Sequence, residues 1–184
     1  NTNYPFTAPL TVAQGPANAG ATFESQPARQ IDVSLGGTFN INNANGTFSS
    51  NTQEFLSASS LLLGTSSSVS NCVASTPGQY PDTITIGQTQ PVATYACSNA
   101  SDNTPIGTGK ISFIVRATTS PGTALFSTLE TFLDTTGNQI LFTEKDYLID
   151  TSGNISFQSL SFMGSLTSTS GPSPSDIQFN FTSQ

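Results

Sequence analysis

FLDTTGNQILF, residues 132–142, and LIDTSGNISF, residues 148–157, use one device twice. In each, an apolar run ends in Asp-Thr-Thr/Ser-Gly-Asn and a second apolar run follows. Gly-Asn at the end of such a run suits a tight turn that needs positive φ. Residues 125–163 therefore read as a three-stranded antiparallel meander. In its last strand Ile155 and Phe157 share one face, whereas Leu160 and Phe162 share the other. That change of phase predicts a bulge near Gln158 or Ser159.

The same period of two extends in both directions. Ile31, Val33 and Leu35 alternate, then Phe39 and Ile41, then Ile84 and Ile86. Ile111, Phe113 and Val115 line one face of KISFIVRA, and Ile177, Phe179 and Phe181 lie near the end of the chain. β-Branched and aromatic residues at this spacing, separated by Gly, Pro, Asn and Ser, predict an all-β, antiparallel sandwich or barrel. One segment reads otherwise. NTQEFLSASSLLLG, residues 51–64, places Phe55, Leu56, Ser59, Leu62 and Leu63 at mixed three-and-four spacing with Gly64 to end it, so a short helix is expected there. Residues 64–82 and 98–109 read as loops, and GPSPSD, residues 171–176, as a proline-stiffened connection.

Composition narrows the function classes. Only 8% of the 184 residues are charged, against roughly 25% in an average soluble protein. Thirteen phenylalanines nonetheless provide a core to bury. The formal net charge is -7, with Arg29, Lys110, Arg116 and Lys145 as the cations. A nucleic-acid or anionic-membrane partner needs a basic footprint, which this chain lacks. No apolar run reaches the roughly 18 residues of a membrane span. The chain starts at Asn1 with no basic-then-apolar leader, which reads as a secreted, cell-surface chain after leader removal.

Catalytic chemistry finds little footing. The absence of histidine removes the usual nucleophile-activating triads and most transition-metal sites, and no phosphate-cradling glycine loop occurs. No enzyme activity, cofactor or metal is expected. Asp134, Glu144, Asp146 and Asp150 offer oxygens for calcium, but they lack the spaced pattern of an EF-hand loop and read better as turn formers. Cys72 and Cys97 are expected to pair, contributing roughly 3 kcal/mol by loop entropy; the alternative is two buried thiols. Four Asn-X-Ser/Thr triplets begin at Asn45, Asn99, Asn154 and Asn180. Asn45 and Asn99, read as loop residues, are the better glycosylation acceptors.

The opening NTNYPFTAPLTVAQGPANAG carries Tyr4, Phe6, Ala8, Leu10 and Val12 on one face of a strand. Either that strand starts the domain's own sheet or it is donated to a neighbour. Pro5 and Pro9 share a parity, so both missing N–H groups fall on one edge and leave the other free to pair. Residues 15–20 read as a flexible linker, which divides the chain into a donor strand (1–14), the linker and a single domain (21–184). Burying Tyr4, Phe6, Leu10 and Val12 in a neighbour contributes roughly 6–12 kcal/mol before ordering costs.

This layout resembles donor-strand-exchanging filament subunits: chaperone–usher pilins and TasA-like bundling pilins. The resemblance implies an Ig-like or jelly-roll β-sandwich that lacks a strand and is completed in trans. It assigns Tyr4, Phe6, Ala8, Leu10 and Val12 as donor plugs, and Ile177, Phe179 and Phe181 to a strand lining the acceptor groove. The expected partner is a second copy, added head to tail. A secreted adhesin or carbohydrate-binding module, with surface glycans as partners, is the alternative. Against it, tryptophan is absent and Tyr4, Tyr80, Tyr95 and Tyr147 do not cluster in sequence.

Overall fold

The computed structural model describes residues 10–41, 44–166 and 175–182. All regular structure there is β. The strands are β1 (Leu10–Gln14), β2 (Asn18–Phe23), β3 (Gln26–Ile41), β4 (Ala44–Leu56), β5 (Leu62–Ser67) and β6 (Ser70–Gly78). They continue as β7 (Thr89–Asn99), β8 (Pro105–Ala117), β9 (Thr123–Asp134), β10 (Gln139–Asp150), β11 (Ile155–Leu166) and β12 (Ser175–Thr182). They form one antiparallel, curled sheet in the order β1-β3-β4-β5-β6-β7-β8-β9-β10-β11-β12, with β2 also on β3. All-β and antiparallel are as expected; the strands hydrogen-bond as a single half-barrel rather than as two separate sheets.

The β9–β10–β11 meander follows its sequence. Asp134 N–H donates to Asn138 O at 2.9 Å, Asp150 N–H donates to Asn154 O at 3.1 Å, and Gly137 and Gly153 have φ of 88° and 81°. Asp146 pairs with Ser159 but Tyr147 pairs with Phe157, so Gln158 is the extra residue of the bulge. The bulge lets Phe157 and Leu160 face the same side of the sheet, as Tyr147 and Lys145 opposite them do.

The segment expected to be helical is not. β4 runs to Leu56, a turn follows, and β5 begins at Leu62. Ser57 makes the turn: its Oγ accepts from Leu61 N–H at 3.0 Å, and its backbone N–H donates to Leu61 O at 2.8 Å. Serine hydroxyls that bond nearby backbone favour turns over helix, and Phe55 finds an aromatic partner outside the segment. The stretches read as loops hold β5, β6 and the start of β8. Most of their positions are Ser, Thr, Asn, Gly or Pro, with Val73 and Ile106 as isolated apolar residues, so alternation leaves little hydrophobic trace.

The N-terminal elements form one long hairpin. β1 pairs with β3 from Leu10↔Gly37 to Gln14↔Val33, Gly15 N–H donates to Asp32 O at 2.8 Å, and β2 resumes at Asn18↔Gln30. Asn18–Gly20, read as linker, are thus strand. The chain leaves the edge of β3 only around Pro16 and Ala17, where proline removes a donor. Glu24 and Ser25 close the hairpin with φ of 48° and 64°.

Pleating divides the side chains between two faces. On the inner face, Tyr95, Phe113 and Val115 pack with Leu62, Val92, Ala93 and Cys97, and Phe113 is fully buried. Ile84, from the connection between β6 and β7, packs against this cluster, and Phe113 stacks on Phe126 at 5.2 Å. A smaller outer cluster holds Phe23, Ala28 and Phe55, whose rings stack at 4.3 Å.

Candidate functional site

The two ends of the sheet carry most of the residues singled out by sequence. At one end, Leu10 and Val12 stand in β1 opposite Gly37 and Leu35 of this same chain. Thr11, Ala13 and Gln14 of β1 are exposed. Tyr4, Phe6 and Ala8 lie outside the described residues. At the other end, Ile177, Phe179 and Phe181 stand in β12 opposite Gly164, Phe162 and Leu160 of β11. Among the described residues β12 pairs on one side only, so its outer edge presents unpaired backbone donors and acceptors. No lysine or proline interrupts SDIQFNFT, the devices that usually protect such an edge.

Cys72 and Cys97 are bonded and stand directly opposite each other in β6 and β7, with Cα atoms 4.0 Å apart. Asn99 is the last residue of β7, and Asn45 lies in β4 opposite Asn40.

Near β1, a groove of about 600 Å³ crosses the sheet, lined by Gln14, Asp32, Asn51, Gln53 and Ser66 among others. Asp32 Oδ1 accepts from Gln30 Nε2 at 2.8 Å and Gln53 Nε2 at 3.2 Å. This is an amide-and-hydroxyl surface, suited to hydrogen bonding and not to nucleophilic chemistry.

The acidic residues of the meander have local employment. Asp134 Oδ1 accepts from Thr136 Oγ1 at 2.7 Å and from the backbone of Thr136 and Asn138, both at 2.9 Å. The Thr136 hydroxyl leads in holding its carboxyl below the usual range. Asp150 is held down likewise, chiefly by Asn154. Glu144 and Asp146 instead face outward together, as alternation within Glu144-Lys145-Asp146 requires. Arg116 Nη1 donates to Glu144 Oε1 and to Ser127 Oγ, both at 2.7 Å. Ser127, fully buried, donates to Asp146 Oδ1, and Ser159 donates to Asp146 Oδ2 at 2.6 Å. This network ties β8, β9, β10 and β11 across their outer face. Among the described residues no cluster of three or more His, Cys, Asp or Glu is arranged to hold a metal.

Sequence reasoning missed a second constellation. Glu54 of β4, Glu130 of β9 and Lys145 of β10 all point inward, and curling brings them within electrostatic reach of one another. Burial pushes the Glu54 carboxyl up, opposed by Lys145 and reinforced by Glu130. Tyrosines far apart in sequence meet on the same face. Tyr80 lies edge-on to Phe126 at 5.8 Å, and Phe126 pairs with Tyr147. Among the described residues the buried Tyr95 hydroxyl has no hydrogen-bond partner. Its burial, with Glu130 nearby, pushes its ionisation well up. Glu54 lay in the segment read as a helix, so the available signal was the inward parity of Glu130 within the meander. It could not show which strands would face each other.

Comparison with protein-family models, with curated proteins and with solved structures returned no match.

Proposed function

We propose that this chain is a structural subunit of an extracellular filament, joined to its neighbours by strand addition at the edges of the sheet. The N-terminal segment, residues 1–14, is the donor. The strand containing Ile177, Phe179 and Phe181 belongs to the acceptor of the next copy. One observation carries the reading: among the described residues the sheet is an open series with β1 at one end and the one-sided β12 at the other. An open sheet with complementary ends propagates head to tail without closing.

β1 suits the role of an exchanging strand. It has five residues, and Pro16 and Ala17 interrupt its continuation into β2. The main-chain bonds it makes within its own chain can be remade on another copy. Side-chain burial and subunit concentration then decide between the two arrangements.

Negative-stain electron microscopy tests this with the parent protein beside a variant carrying Phe6→Asp and Leu10→Asp. Filaments in the parent and none in a folded variant support donation. Monomers in both remove it. Glycan binding is the second reading, favoured by Tyr80, which is 40% exposed on the face that carries Glu54 and Glu130. An exposed aromatic beside carboxylates is a common way to hold a sugar. It predicts a glycan-array signal that Tyr80→Ala abolishes.

A further inference from the structure

The four Asn-X-Ser/Thr triplets are chemically equivalent in sequence and unequal in the fold. At Asn99-Ala100-Ser101, Asn99 Oδ1 accepts from Ser101 N–H at 3.0 Å and from Ser101 Oγ at 2.9 Å. The side-chain nitrogen, Nδ2, makes no hydrogen bond among the described residues. The backbone around it is held open at the end of β7: Asn99 N–H donates to Thr104 O at 2.9 Å, and Asn103 N–H to Asn99 O at 2.9 Å. Ser101, Asp102 and Asn103 beyond it are exposed.

Asn154-Ile155-Ser156 is the contrast. Asn154 Nδ2 donates to Asp150 Oδ2 at 2.7 Å, and its N–H donates to Asp150 Oδ1 at 2.9 Å. Ser156 Oγ accepts from Gln158 Nε2 at 3.1 Å and takes no part with Asn154. That nitrogen is tied to a carboxylate inside a tight turn. Asn45 and Asn180 stand within the ladders of β4 and β12, opposite Asn40 and Ser161.

We infer that Asn99 is a covalent attachment site for an oligosaccharide. An amide nitrogen is a poor nucleophile because its lone pair is delocalised onto oxygen. Hydrogen bonds to Oδ1 stabilise the charge that gathers there as an Nδ2 proton is lost, and Ser101 supplies two of them. The co-substrate is a glycosyl donor with a phosphate-type leaving group, presented by a transferase. A bond forms between Nδ2 and the anomeric carbon. The bond from that carbon to the leaving oxygen breaks, its electron pair leaves with the phosphate, and the Nδ2 proton passes to a base of the transferase. The position also suits an assembled filament, since Asn99 ends a strand in the middle of the sheet order, far from both edges. Val69, 71% exposed, accepts the Ala100 N–H at its backbone O at 3.1 Å, so an attached sugar would cover an otherwise bare apolar side chain.

Peptide mapping by mass spectrometry of the protein isolated from the cells that secrete it tests this. The chymotryptic fragment from Ala96 to Phe113 is expected to carry saccharide mass on Asn99, with Asn154 unmodified. Ser101→Ala should abolish the modification and Ser101→Thr should retain it. An unmodified Asn99 overturns the inference. So does saccharide on Asn154 at equal occupancy, or occupancy unaffected by Ser101→Ala.

Discussion

The ring of Phe23 occupies the space that a side chain at residue 64 would need: a Cβ built on Gly64 would lie 2.5 Å from Phe23 Cε1. Gly64 stands between Phe55 and Val73 in the ladder, so its missing side chain is the floor on which the β2 aromatic stacks. The same Cβ would also meet the backbone O of Cys72 in β6, so Gly64→Ala must displace both that ring and the β5 or β6 backbone. The expected cost is about 1–3 kcal/mol. Chemical denaturation measures it, and an unchanged midpoint would show that Phe23 does not pack there.

Glu24 and Ser25 both adopt the left-handed region in a two-residue hairpin turn that favours Asn-Gly. Glu24→Asn with Ser25→Gly should relieve this and stabilise the fold by about 1 kcal/mol. The thermal midpoint should rise. A fall would mean that the native side chains make compensating contacts.

Cys72–Cys97 joins residues already opposite each other in a ladder. Its loss should lower stability by about 3 kcal/mol through the unfolded state while leaving the β signature of the circular dichroism spectrum intact. Comparing melts with and without reductant tests this, and collapse of the spectrum on reduction would refute it.

Ser127→Ala removes a buried hydroxyl that accepts from Arg116 and donates to Asp146. The carboxylate loses one of its two serine donors, so about 1–3 kcal/mol of stability should be lost. Equilibrium denaturation reads the effect. A near-zero change would mean that Arg116 reaches Asp146 directly once the serine is gone; the two are already 3.9 Å apart.

Burial raises the Glu54 pKa above its ordinary 4.5, so the folded protein favours the neutral acid. That contribution is complete below the unfolded pKa and disappears as pH rises through the folded value. Asp134 and Asp150 shift the other way from 3.8, and their contribution disappears as pH falls through their lowered values. Taken alone, these groups favour the fold most between 3.8 and 4.5. Glu54→Gln should raise the melting temperature at neutral pH and flatten its decline with pH. Identical pH profiles for parent and variant would show that Glu54 is solvated.

The β9–β10–β11 meander and the bulge at Gln158 were legible residue by residue because they are local. Asp, Gly and Asn act within a few positions of one another, and a phase change within one strand can be read by parity. The exclusion of histidine chemistry and of a basic partner surface also came from sequence, since both depend on which residues are present. Other features required the tertiary structure. Residues 10–23 run as one interrupted strand along β3, although Gly-Pro-Ala-Asn-Ala-Gly reads as a linker, because backbone pairing makes no demand on side-chain pattern. Residues 51–64 form the end of β4, a turn and the start of β5 because Phe55 finds its stacking partner, Phe23, on a different hairpin. Glu54, Glu130, Lys145 and the tyrosines meet because the sheet curls. Parity placed Glu130, Lys145 and Tyr147 within the meander, but Glu54 lay in a stretch read as helix and Tyr80 in one read as loop, and only the curvature decided which strands would come together.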